Sequence, residues 1–241
     1  MMSSSRTKAQ ECRQPGRPLR GRRWWRWVLA GLAALAVLAL LAVWAFVRLQ
    51  PAPAALTLPA AAARPAAGTA DGTWHVAGGS LAGFRVHETA LGASNDAVGR
   101  TSAVSGDLVI SGDQVTSANF RIDLTSIRVN GKTQPQVATS LATGQYPDAT
   151  FTLTRPAALA TVFTTGAAVS APATGWLTLH GSRHLVTFTV SGRRDGAAIE
   201  VAGSIPIAFS DWGISGPASY GMLGSLASHG VAEFLLVLNR G

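Results

Sequence analysis

Residues 174–209 read TGWLTLH-GS-RHLVTFTVSGRR-DG-AAIEVAGSIPIAF. Apolar and polar side chains alternate within each segment, the period of a β-strand with one buried face. Gly181-Ser182 and Asp195-Gly196 stand between the segments as two-residue hairpin links. With those links His180 faces Arg183, Leu179 faces His184 and Leu177 faces Val186. Across the second turn Val190 faces Val201, Phe188 faces Gly203, Val186 faces Ile205 and His184 faces Ile207. Opposed residues share a side of the sheet. One face then collects Leu177, Leu179, Val186, Phe188, Val190, Val201, Ile205, Ile207 and Phe209, while Trp176, Thr178, His180, Arg183, Thr187, Thr189, Ala202 and Ser204 take the other. Three strands agreeing on one dry side make a meander.

Similar signals continue outward. TWHVA (73–77) and SLAGFRVHE (80–88) alternate, and Gly112-Asp113 joins two further strands. There the phase slips, because Ile110 and Val115 share a face that Phe120, Ile122 and Leu124 leave. A β-bulge between Thr116 and Ala118, or near Gly106, is expected to absorb the slip. Residues 133–143 hold the one expected helix of this region, of one or two turns, and a Gly/Ser-rich loop precedes His229. Eight to ten strands separated by turn signals close as an up-and-down barrel or fold as a sandwich.

The net charge of +8 is not a property of this region. Residues 1–71 carry ten basic and two acidic side chains, and residues 72–241 ten of each. The basic excess therefore gives no reason to expect nucleic-acid binding by the strand-rich part. Residues 1–26 form a basic tail with Glu11 as the only acid. From Val28 to Val47 follow twenty uncharged residues, about 30 Å of helix and the thickness of a bilayer's hydrocarbon core. Trp24, Trp25 and Trp27 flank one edge and Trp44 the other, as an aromatic belt does. A cleaved leader is the competing reading, although its apolar region usually runs only about 7–15 residues. In either case the basic flank stays in the cytoplasm and the C-terminal part is exported. The expected organisation is tail 1–26, anchor 27–48, Pro/Ala linker 49–71 and barrel 72–241. A linker of this kind reaches roughly 70 Å when extended and leaves the domain free to reorient.

Reactive chemistry finds little support. The single cysteine, Cys12, lies in the tail, so the barrel has no thiol. No G-x-S-x-G or HExxH motif occurs. His180 and His184 have a metal-ligand spacing for a helix, but the hairpin puts them on opposite faces, so no metal is expected there. The carboxylates, among them Glu88, Asp123, Asp211 and Glu233, are scattered. No catalytic residue is assigned.

The strand region resembles the YceI-like polyisoprenoid-binding family, from about Gly72 to Asn239. The resemblance rests on IDLTSI (122–127), YPDATFTL (146–153), GWLTLHGSRHLVTFTV (175–190), DWGI (211–214) and VAEFLLVLN (231–239), in the family's order. It departs at 98–106, which lacks the usual phenylalanines, and at 136–145, which lacks the usual acidic and aromatic residues. It implies a lipocalin-like antiparallel barrel, extracytoplasmic, with an apolar pocket for an isoprenoid chain. The candidate pocket residues are Phe84, Val86, Phe120, Ile122, Phe151, Leu153, Leu177, Leu179, His184, Val186, Phe188, Val190, Val201, Ile205, Ile207, Phe209, Phe234 and Leu236. Gly203, facing Phe188, would leave room in the wall, His184 would stand at a barrel end near a head group, and Trp212 would close one end. The implied ligand is an isoprenoid lipid or quinone, with no resident cofactor, and the implied partner besides it is the membrane through residues 28–47. The alternative is a non-enzymatic envelope docking module with a filled barrel, marked by an exposed apolar patch around Trp176 and Trp212.

Overall fold

The structure, a computed structural model, describes residues 24–49, 52–60, 64–66, 68–90, 93–159, 163, 165–215 and 224–241. Most of the expected basic tail, and residues 216–223 of the Gly/Ser-rich loop, lie outside the described residues. The chain divides into two units, Met1–Leu49 and Gln50–Gly241.

The first unit contains helix α1 (Trp24–Leu49). Its apolar span Trp25–Ala45 buries none of its side chains against protein and is long enough to cross a membrane, as an anchor or as a signal sequence. So much apolar surface requires a surrounding other than water.

The second unit is built from strands β1 (Gly72–Val76), β2 (Leu81–Ala90), β3 (Ala93–Thr101), β4 (Val104–Ser111), β5 (Gln114–Asp123), β6 (Arg128–Val129) and β7 (Asp148–Leu153). They are followed by β8 (Ala157–Ala158), β9 (Val169–Leu179), β10 (Ser182–Asp195), β11 (Ala198–Ala208), β12 (Gly224–Leu226) and β13 (His229–Arg240). β1 and β2 are two parts of one interrupted strand along β13, with Val76 opposite Leu238 and Leu81 opposite Leu235. β3 and β4 run in the same way along that pair, and β5 and β6 along the next. Joined so, eight antiparallel strands follow one another around the wall, and β13 closes the ring on β1 and β2. Closure is what removes the two open edges a sheet would otherwise present.

The meander forms, with its register moved by two residues at each turn. His180 and Gly181, at φ 52 and 75, make the first link. His184 therefore pairs with Leu177 instead of Leu179, and Val186 with Gly175 instead of Leu177. Two left-handed residues are what a type I′ hairpin turn requires. The second link is Gly196-Ala197, which sets Val190 opposite Gly203 instead of Val201. A slip of two residues preserves the side on which every strand residue lies. The dry face survives intact, while His180 moves from a strand into a turn.

The expected bulge is also present. Val109 pairs with Ser117 but Ile110 with Val115, leaving Thr116 as the extra residue. That extra residue brings Val115, Ala118, Phe120 and Ile122 onto the side of Leu108 and Ile110. Helix α2 (Pro135–Ser140) falls inside the expected helix and starts with a proline, which lacks an N–H that would be unpaired there. Val137 and Leu141 pack on Leu124, Ile127 and Ala149, so α2 lies across one end of the barrel. At the other end Trp74 is 1% exposed and its indole N–H donates to the Ala70 carbonyl at 2.8 Å. Leu108, Ile110, Phe163, Ile199 and Leu238 complete this plug, and the Arg194 guanidinium stands 5.6 Å from the Trp74 ring centre.

The Pro/Ala linker corrects the expectation of a free tether. Within residues 52–60, Leu56 is buried against the barrel and its N–H donates to Glu233 Oε2 at 3.3 Å. Glu233 is itself 4% exposed. It pairs with Arg100 at 2.8 Å and with Arg85 at 3.5 Å. The same two guanidinium groups donate to the backbone carbonyls of Pro53 (2.6 Å from Arg85) and Ala54. A carboxylate this deep is tolerable only when it is paired and hydrogen-bonded. The linker supplies part of that environment, as a clip on the outer face of β13, β2 and β3. A second attachment is exposed: Arg64 meets Asp195 through its side chain and its backbone N–H.

Two outcomes test these points. Glu233→Ala leaves two guanidinium groups facing an empty site and is expected to cost about 3–5 kcal/mol in urea unfolding of the full-length chain; a cost no larger than that of a surface substitution would contradict the clip. Gly181→Ala is expected to cost about 1–2 kcal/mol in the same assay, because φ is 75 and an added methyl would meet the Tyr146 ring at 2.5 Å.

Candidate functional site

The inward-pointing residues do not fill the barrel. They enclose a cavity of about 560 Å³, within the range of pockets that hold small molecules. An eight-stranded barrel has an interior just wide enough to be filled by side chains or to hold one ligand. Which outcome occurs is decided by where its large side chains lie.

Four phenylalanines settle the matter here. Phe84 pairs directly with Gly99, Phe120 with Gly106 and Phe234 with Gly203, while Phe151 lies diagonally across from Gly175. A methyl group at Gly203 would stand 2.7 Å from the Phe234 ring, while one at Gly106, where φ is 136, would first meet the Asn119 carbonyl and then the Cα and ring of Phe120 at 2.8 and 2.9 Å. The Gly99 and Gly175 positions are occupied in the same way by Phe84 and Phe151. Each ring lies over a glycine of the neighbouring strand and belongs to the wall, so the middle of the barrel stays open. The room at Gly203 is thus taken by Phe234; Phe188, expected there, pairs with Ala173. Phe188 instead meets Phe151 and Phe234 edge-on, at 5.5 and 6.0 Å between ring centres.

Of the eighteen candidate pocket residues, all but His184 and Val186 border the cavity. Val186 packs against the cluster that holds Phe188, Ile207 and Trp212, and His184 is exposed, its ring 4.6 Å from that of Trp212. His184 does not border the cavity. Trp212 is 3% exposed in a single 3₁₀ turn, Phe209–Trp212, and covers this end from within. His180 Nδ1 lies 3.1 Å from the Trp212 carbonyl, which ties the hairpin to that turn. Trp176 is covered on the outer face by the Arg183 guanidinium at 4.7 Å. Trp176 stays half-buried opposite the exposed Leu185, whereas Trp212 is buried, so the two tryptophans do not share one exposed surface.

Sequence reasoning missed the floor and the rim. Leu108, Ile110, Phe163 and Ile199 form the floor, and their alternation was legible. The rim is polar: Glu88, Asn95, Asn130, Gln134, Gln136 and Ser140 border the cavity at the α2 end. Glu88 pairs with Asn95 across β2 and β3, on the inner side with Phe84 and Val86. Burial raises the Glu88 carboxyl above its ordinary pKa, and the nearby Asp96 charge adds to the effect. Asp96 points outward, where a hydrogen bond to His87 and then Arg85 hold its own pKa below the usual value. Among the described residues no group of three His, Cys, Asp or Glu side chains is arranged to hold a metal ion.

The barrel is similar to a polyisoprenoid-binding domain from Saccharophagus degradans, with a TM-score of 0.55 at 17% identity over 70% of this chain and 98% of that one. It is also similar to BcnA of Burkholderia cenocepacia, with a TM-score of 0.48 at 20% identity over 68% of this chain and 95% of that one. A Campylobacter jejuni YceI protein gives a TM-score of 0.43 at 15% identity over 59% of this chain and 84% of that one. A search of curated proteins finds no match. The model of the YceI-like domain matches residues 74–231, from the plugging tryptophan of β1 into the strand that closes the ring, and the chain belongs to the YceI-like family.

Proposed function

We propose that this protein is a membrane-tethered, extracytoplasmic carrier that holds the chain of an isoprenoid lipid, a quinone or a polyprenyl lipid, inside its barrel. The observation that carries the reading is the open lumen, about 560 Å³ and lined by apolar side chains down to the Trp74 plug. A barrel selected only to be a solid core would not seat four phenylalanines over glycines. From Ile199 to Ile207 β11 advances eight residue steps, roughly 26 Å along the strand and, with the tilt of barrel strands, about 20 Å along the axis. That depth suits an extended chain better than a compact ligand. Binding requires no reactive group, since each CH₂ withdrawn from water contributes about 0.8 kcal/mol. The name of the Saccharophagus degradans relative, a polyisoprenoid-binding domain, agrees with this chemistry.

Support for a tether comes from α1, long and apolar enough to cross a membrane, and support for its direction from the basic flank before it, which favours a cytoplasmic N-terminus. An anchored carrier is then supplied from the bilayer itself.

Purification of the full-length chain in detergent, organic extraction and mass spectrometry test the proposal directly. A prenyl lipid in near-stoichiometric amount is the expected result; a clean protein that also takes up no quinone or polyprenol on titration would remove it. Gly192→Leu gives a second test. An added Cβ there makes only ordinary contacts, 3.6 Å or more, at the lower part of the cavity. The variant is expected to fold and to retain shorter chains than the native protein. Phe188→Asp, which places a charge in the middle of the lumen, is expected to retain none.

A further inference from the structure

The rim of the cavity has a charge pattern that bears on the ligand's head group. Its one inward-facing carboxylate at the α2 end is Glu88, beside Asn95. No Arg, Lys or His borders the cavity among the described residues. The basic groups nearest Glu88 are directed outward: His87, beside it in β2, meets Asp96 at 3.2 Å. Arg85 is engaged by Asp96, Glu233 and the Pro53 carbonyl, and Arg100 by Glu233 and the Ala54 carbonyl. Arg128 lies opposite Arg100 in the β3–β6 register and so takes the outer side of the sheet. Arg183 covers Trp176, Lys132 is exposed and His184 rests on Trp212.

From this arrangement we infer that the barrel selects long-chain lipids whose head group carries no negative charge, such as alcohols and quinones, and rejects polyprenyl phosphates, with Glu88 as the specificity-determining residue. The inference rests on the carrier reading above. Its physical basis is desolvation. A phosphate drawn to the rim would lose water beside a carboxylate with no cation to repay the loss. A neutral oxygen meets the opposite situation. Asn95, Asn130, Gln134 and Gln136 provide amide donors and acceptors. The raised pKa of Glu88 makes its protonated form, a hydrogen-bond donor to a carbonyl or hydroxyl oxygen, easier to reach. The polar rim also sets the direction of entry, with the tail toward the Trp74 plug and the head at α2.

The test uses the full-length protein in detergent, offered an equimolar mixture of a polyprenol and its monophosphate of the same chain length. Retained lipid is quantified by mass spectrometry after gel filtration. The alcohol is expected to exceed the phosphate by about tenfold or more, the effect of roughly one pKa unit of unfavourable charge. Glu88→Gln is expected to narrow that ratio and Glu88→Lys to reverse it, at an unchanged thermal midpoint for the isosteric Gln variant. Equal retention by the native protein, or the same ratio in both variants, would overturn the inference. Retention of neither lipid would overturn the carrier reading instead.

Discussion

A phenylalanine whose ring reaches over a glycine on the next strand adds to the wall without adding to the filling. Everything distinctive about this barrel depends on that exchange. Eight strands leave an interior that four inward phenylalanines could readily occupy. Gly99, Gly106, Gly175 and Gly203 remove the methyl groups that would hold the rings off the sheet. The cost is modest, since glycine in a strand weakens it, and each ring covers the gap its glycine leaves. Function here is a matter of packing density, because dense interiors are the rule and this one departs from it along its axis.

The opposite strategy governs the outside of β13, β2 and β3. There a carboxylate is buried where nothing in the barrel alone would fully satisfy it. Glu233 draws Arg85 and Arg100 inward, and those side chains then present donors to a passing stretch of backbone. A segment with little side-chain chemistry of its own, largely alanine and proline, thereby acquires a fixed place. Its main contribution beyond hydrogen bonds is Leu56, the one bulky side chain it buries.

The faces of the barrel were legible because strand alternation has a period of two. Even with both hairpin links misplaced, Leu177, Phe188, Val190, Val201 and Ile205 remained on the correct side. The links were misread for a local reason. A histidine at φ 52 is uncommon, so Gly181-Ser182 looked the better turn than His180-Gly181. The bulge was legible because Ile110 and Phe120 could not otherwise share an interior. The clip was not legible, because its partners lie 32, 46 and 177 residues away in sequence and each looks like an ordinary surface charge. The phenylalanine seats were half visible: Gly203 was recognisable as space, but its occupant depended on a pairing between β11 and β13 that no local pattern announces. The rim was missed for a similar reason, since Glu88 and Gln136 come together only when the hairpin of β2 and β3 meets α2.

The clip also constrains how the protein could be matured or trimmed. A boundary drawn from strand signals alone would begin the barrel at Gly72. A chain starting there would lack the Pro53 and Ala54 carbonyls and the Leu56 N–H, and would expose Glu233 and its arginines to water. If α1 is removed as a leader, a cut ahead of Pro53 preserves the clip, whereas one within the alanines that follow Leu56 discards it. A cut in the alanines beyond Leu56 therefore falls on the wrong side of the segment that Arg85, Arg100 and Glu233 hold.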